Sequence, residues 1–312
     1  MQPRSRRTFL TLGLLVTAGT ALTACTEPHG TPPAGAARRP DPDEPIRLRA
    51  VAATDTLLAG YDALLPQAPQ LQPLRAEVAQ HRAALQPTTT APPTVTAPPS
   101  SAPTTLTALA ALERQTAQSR LADLDAASPP LARLLASVST AGVLHAAALG
   151  DPGATTPAAS TPSPTPAGDP ATAFQDALSA EHAAVYGYGV VGARLTDDQQ
   201  RTDARTTLAA HQSRRDAWQR LLATSGATPT AAAAGYQLPF PVTDAPAATR
   251  LAAHLETRLT TVYADLVAAA PTPHRLLAAD ALRDSALRAH HWGAAPTPFP
   301  GLPSTPTPST AP

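Results

Sequence analysis

The sequence predicts an all-α protein: two tandem four-helix bundles separated by Pro/Thr-rich disordered linkers. Three observations carry this. Apolar residues recur with helical spacing through eight segments and with strand spacing nowhere. Each half holds two closely joined helix pairs separated by a connector of roughly 20 residues. Proline, with 37 residues in 312, is concentrated in stretches that lie between these segments.

The expected helices cover residues 46–65, 70–86, 105–127 and 130–149, then 171–195, 197–225, 246–270 and 273–292. Breakers fall at their ends: Pro66, Pro69, Pro129 and Pro130 in the first half, and Gly226, Pro246, Pro271 and Pro273 in the second. "TDDQ" (Thr196 to Gln199) reads as a helix start, with a capping hydroxyl and first-turn acids. A helix of 20 residues is ~30 Å long. Extended chain covers ~3.3 Å per residue, so each central connector can run back along its whole bundle. Four helices with one long middle crossover is the ferritin-like arrangement. The domain plan is a signal peptide (1–24), a stalk (25–45), a degenerate ferritin-like bundle (46–149), a linker (150–170), a second ferritin-like domain (171–303) and a tail (304–312).

The N-terminus predicts where the protein works. "SRRTFLTLGLLVTAGTALTAC" opens on Arg4, Arg6 and Arg7 and continues with an apolar run. That run is shorter than the ~20 residues a membrane-spanning helix needs, which suits a signal peptide. Arg6 and Arg7 form a twin-arginine export motif, and "LTAC" reads as a lipobox in which Cys25 is lipidated. More than one acyl chain anchors stably where one is marginal. The expected location is the outer face of the cell membrane, with the lipidated (palmitate-type) Cys25 as anchor. Cys25 is the sole cysteine, so no intramolecular disulfide or thiolate metal cluster can form.

Every basic residue is Arg, Lys does not occur, and formal net charge is zero. No clustered basic patch offers itself to nucleic acid. The chain also lacks the P-loop, G-x-S-x-G, H-E-x-x-H and dinucleotide fingerprints, so the common hydrolase and nucleotide-enzyme readings have no support.

Polar residues on apolar helix stripes are the candidate site. In "ALSAEHAAVYGYGVV" (177–191), Glu181 shares a face with Ala177, Leu178, Ala184, Val185 and Tyr188. A bare carboxylate there is costly and needs a partner. Glu256 lies on a stripe with Ala252, Leu259, Tyr263 and Val267; His211 lines up with Leu208, Trp218 and Leu222; His290 sits near the end of the last helix. The expected partners of Glu181 are His211, Arg214 or Arg215. The first half repeats the order faintly, with Asp55, Glu77, His81, Glu113 and His145, and with Gly142 where a carboxylate would precede His145.

"AEHAAVYGYGVVGARL", "AAHQSRRDAW", "AGYQLPFPV", "ALRDSALRAHHWG" and "FPGLP" together resemble a ferritin-like domain of unknown function found in actinobacterial lipoproteins. The resemblance covers about 170–303 and implies the fold without an activity. Metal-binding members of the wider superfamily take a Glu from each of two helices and a Glu-x-x-His from each of the other two. By that likeness Glu181, His211, Glu256 and His290 are candidate ligands. Leu208 and Leu287 replace the other two carboxylates, which argues against a di-iron centre and leaves a single Fe, Mn or Zn as the metal option. The expected function is a non-catalytic envelope protein that presents helical surface to a protein partner. The alternative is a single-metal or residual redox protein.

Overall fold

A computed structural model describes residues 41–87, 103–153 and 171–303. The twin-arginine pair, Cys25 and the tail lie outside the described residues, as do most of the stalk and the central parts of two Pro-rich stretches. The described residues are all-helical, with no strand among them.

Among the described residues the eight α-helices are α1 (Glu44–Leu64), α2 (Gln72–Leu85), α3 (Leu106–Ala122), α4 (Pro129–Ala148), α5 (Ala171–Arg194), α6 (Asp198–Thr224), α7 (Ala245–Ala269) and α8 (Thr272–His291). Proline stands in the first turn of α1, α2, α4, α7 and α8. There its missing N–H costs nothing and its fixed φ suits the helix. Two boundaries differ from expectation. Helix α3 stops at Ala122 instead of 127, because Asp123 to Ser128 make the turn into α4. Helix α6 is capped by Asp197, whose carboxylate accepts from Gln200 N at 2.8 Å; the Thr196 hydroxyl does not cap it. Gly226, in the left-handed region at φ 82°, closes α6.

Cross-helix bonds fix the directions. Between α1 and α2, Asp62 meets Arg75 and Asp55 meets Arg82, so the pair is antiparallel. Between α1 and α3, Tyr61 meets Glu113, Thr54 meets Arg120 and Arg49 meets Asp123, again antiparallel. Helices α2 and α3 therefore run the same way. The second half repeats this. Gln175 on α5 meets Thr228 beyond the end of α6, and Glu181 meets His211. Glu181 and Tyr188 meet Tyr263 and Glu256 on α7. In both halves the second and third helices are parallel.

The sequence leaves open whether the halves touch, and they do. The described residues, all from Asp41 onward, form one compact unit. One apolar core joins Leu131, Leu135 and Val138 of α4 to Leu259 and Leu266 of α7 and Leu282 of α8. Helix α4 is long and apolar enough to cross a bilayer, but it is mostly buried inside the protein, as a helix apolar all round must be. Arg275 of α8 donates to the carbonyls of Leu124 and Ala127 at 2.7 Å each. Residues 294–303 then lie over the first half: Pro298 O accepts from His81 at 2.6 Å and Pro300 O from Ser137 at 2.9 Å. Gly301 is required in this strap. Its φ is 79°, and a Cβ there would fall 2.4 Å from Thr260 O.

Candidate functional site

Helices α5, α6 and α7 bring Glu181, His211 and Glu256 together in the middle of the second half. His211 bridges the two carboxylates: Nδ1 is 2.8 Å from Glu181 Oε2, and Nε2 is 3.0 Å from Glu256 Oε1. All three side chains are fully buried. Each carboxylate also accepts from a buried tyrosine. Tyr188 O–H donates to Glu256 Oε1 at 2.7 Å, and Tyr263 O–H donates to Glu181 Oε1. Of the expected partners of Glu181, His211 is the one that bonds to it. Arg214 bonds to Asp284 at 2.7 Å while still lending its charge to Glu181, and Arg215 pairs with Asp216 on its own helix.

Electrostatics follow from this packing. Burial alone would depress the His211 pKa, but the charges and hydrogen bonds of Glu181 and Glu256 outweigh it and lift it to about 9. Burial would raise the Glu181 carboxyl, yet the His211 charge and hydrogen bond, then Arg214 and Tyr263, hold it below the usual range. Burial first, and the neighbouring carboxylate second, push the hydroxyls of Tyr188 and Tyr263 well above ordinary tyrosine. The raised His211 pKa favours an imidazolium beside the Glu181 carboxylate, and the raised hydroxyls keep Tyr188 and Tyr263 as neutral phenols.

His290 does not join it. Arg214 faces Asp284 and Asp203 faces His291 across α6 and α8. His211 thus lies opposite the stretch of α8 just after Asp284, where Ala286 and Leu287 stand. His290, further along, is exposed at the mouth of a small apolar cavity lined by Leu144, Thr257 and Ala286. The four candidate ligands do not all come together in this arrangement: Glu181, His211 and Glu256 meet, with both ring nitrogens of His211 engaged by the carboxylates, and His290 stands apart. Among the described residues, no group of three or more His, Asp or Glu side chains is set to hold a metal ion.

The first half holds a related array. His145 Nδ1 is 3.1 Å from Glu113 Oε1 and Nε2 is 3.1 Å from Glu77 Oε2, while Tyr61 O–H donates to Glu113 at 2.8 Å. Burial lowers the His145 pKa, but Glu113 and then Glu77 raise it to about 9. His81 stacks on His145 at 5.7 Å and turns its Nε2–H to Pro298 O. Burial, His145 and Arg120 depress its pKa to about 3. Asp55 is on the surface with Arg82, and Gly142 backs onto Glu113, where an added Cβ would lie 3.3 Å from Oε2.

Two residues that composition and stripe reading passed over, Tyr61 and Arg120, reveal how the halves correspond. Thr54 and Tyr61 are seven residues apart on α1, as Glu181 and Tyr188 are on α5. Glu113 and Arg120 are seven apart on α3, as Glu256 and Tyr263 are on α7. Seven residues is two helical turns, so each pair shares a face. Because the helices are antiparallel, the pairs cross. Tyr61 reaches Glu113 as Tyr188 reaches Glu256, and Arg120 reaches Thr54 at 2.9 Å as Tyr263 reaches Glu181. Glycine precedes the tyrosine in both, at Gly60 and Gly187, where a Cβ would press on Pro103 and Leu255. This spacing was the signal available in the sequence.

Residues 173–304 match the model of a domain of unknown function, DUF4439. The second half of the chain is a DUF4439 domain. The Glu181–His211–Glu256 array, both tryptophans and the strap as far as Pro303 all fall inside it. A crystal structure of a conserved hypothetical protein, rv2844, from Mycobacterium tuberculosis is similar to part of this chain. It is 39% identical over 40% of this chain and 96% of that chain, with a TM-score of 0.39. No curated protein matches the chain.

Proposed function

We propose that this is an exported, lipid-anchored envelope protein whose two ferritin-like bundles act as a rigid, non-catalytic module presenting helical surface to a protein partner. The observation that carries the non-catalytic reading is the burial of the Glu181–His211–Glu256 array: both ring nitrogens of His211 are engaged, and none of the three side chains meets solvent. Such a buried charged network specifies one packing more than it adds stability. The ferritin-like reading is supported by the parallel second and third helices of each half, the mark of one long crossover. Anchoring rests on the Arg6–Arg7 motif and Cys25, and it places the module on the outer face of the cell membrane.

Two measurements on the full chain test this. Membrane fractionation of cells expressing the protein should find it with the membrane, and Cys25→Ala should release it; a variant that stays membrane-bound sinks the anchor. Metal analysis after loading with iron, manganese or zinc should find well below one equivalent. Near-stoichiometric metal that Glu181→Ala and His211→Ala both lose would replace this reading with the single-metal one.

A further inference from the structure

The chain has two tryptophans, and both flank the same hydrogen-bonded array. Trp218 lies 6.4 Å from Tyr263, ring to ring, and Trp292 lies 6.4 Å from Tyr188. The order is Trp218, Tyr263, Glu181, His211, Glu256, Tyr188, Trp292, with every member at most 4% exposed. Aromatic residues make up 4% of this chain, so four of them around one salt-bridged core is a marked concentration. Apolar packing alone does not call for it, since Leu or Phe would fill the same space without a hydroxyl to satisfy.

Removing one electron from a phenol makes its O–H strongly acidic, so a stable neutral radical forms where a base stands ready. For Tyr188 that base is Glu256 Oε1, 2.7 Å away. Burial keeps the resting phenol protonated, so the proton leaves only with the electron. The array also reaches the surface. Trp292 lies 5.3 Å, ring to ring, from His291, whose side chain is 57% exposed beside Asp203. The first half supplies an internal contrast: Tyr61 makes the same bond to Glu113, but Arg120 stands where the second half has Tyr263, and neither tryptophan is there.

We propose that Trp292, Tyr188 and Glu256 form a one-electron oxidation site that quenches small organic peroxyl radicals arriving at the His291 surface. The peroxyl radical takes one electron from Trp292 and, with a proton from bulk water, becomes a hydroperoxide. Tyr188 returns an electron to Trp292 and passes its phenolic proton to Glu256, leaving a neutral tyrosyl radical and a protonated carboxyl. A hydroquinone then supplies one electron, becoming a semiquinone and releasing its proton to bulk water, and the proton held by Glu256 moves back to the Tyr188 oxygen. The array holds the proton throughout, so resetting the site needs no water in the core. This activity needs no metal, stands beside partner binding, and replaces only the non-catalytic part of the reading above.

The test uses the full chain carrying Tyr186→Phe and Tyr236→Phe, which remove the two tyrosines nearest solvent. A photo-generated ruthenium tris-bipyridine oxidant is the probe, read by electron paramagnetic resonance after freeze-quenching. The expected result is a tyrosyl signal that narrows when tyrosine is β-deuterated. It should fall at least tenfold in Tyr188→Phe and at least fivefold in Trp292→Phe. No tyrosyl signal, or one retained in both variants, overturns the proposal. Should Tyr188→Phe not fold, by its helical circular dichroism, the Trp292→Phe yield decides alone.

Discussion

The Nδ1 atom of His211 lies 2.8 Å from a carboxylate oxygen of Glu181, with both side chains out of solvent. The second carboxylate, Glu256, holds the other ring nitrogen. Taking away the imidazolium strands two buried carboxylates, and breaking a buried pair of this kind costs about 3–5 kcal/mol. His211→Ala should therefore lower the free energy of unfolding by that order in urea titrations. The triple change Glu181→Met, His211→Leu, Glu256→Met should cost less than His211→Ala alone, because no charge is left unpaired. A triple variant weaker than the single one would show that the network contributes net stability.

Stability should peak near pH 6.5 and fall on both sides. His145 and His211 have folded values of about 9, above the ordinary 6.5. Their contribution is full below pH 6.5 and is lost as pH rises through 9. His81 has the opposite shift, to about 3, and Glu181 is held below its usual range. Their contributions are present at neutral pH and are lost in acid. Melting temperature measured from pH 4 to 10 checks this. The alkaline fall should shrink in His145→Gln and the acid fall in His81→Gln.

The cap of α6 offers a sharp contrast between neighbours. Asp197 accepts from Gln200 N, while Thr196 makes no capping bond. Asp197→Ala should cost about 1 kcal/mol, and Thr196→Ala should lie within about 0.5 kcal/mol of the parent. Chemical denaturation of both variants decides it, and equal costs would place the cap elsewhere.

Arg275 ties the halves by donating to two carbonyls in the turn between α3 and α4, from a site 8% exposed. Hydrogen bonds from a charged group contribute about 1.5–3 kcal/mol each, so Arg275→Ala should lose at least that much. The same change should raise amide exchange across residues 124–132, where the tie ends. Unchanged exchange there would mean that the α4 core alone holds the halves together.

Helix count and helix ends were legible in the residues because both are local. Apolar spacing sets the face, and Pro and Gly set the limits, so seven of the eight helices end within about two residues of expectation. The exception, α3, stops early where Asp123 and Asp125 turn the chain toward α4, and that turn is tied down by tertiary bonds: Arg49 to Asp123, and Asp43 to Ser128.

Local pattern also determined that Glu181, His211 and Glu256 would face inward, since a residue's stripe follows from its own helix. Which inward groups meet depends on the sliding of one helix along another, and no single segment encodes that. The register of α8 on α6 turned His290 outward and put Asp284 against Arg214. The antiparallel crossing of α5 and α7 matched two seven-residue spacings into one hydrogen-bonded array. The joining of the halves was likewise decided by tertiary structure alone: α4 reads as an apolar helix in the sequence, but only the assembled chain shows that α7, α8 and the strap are what cover it.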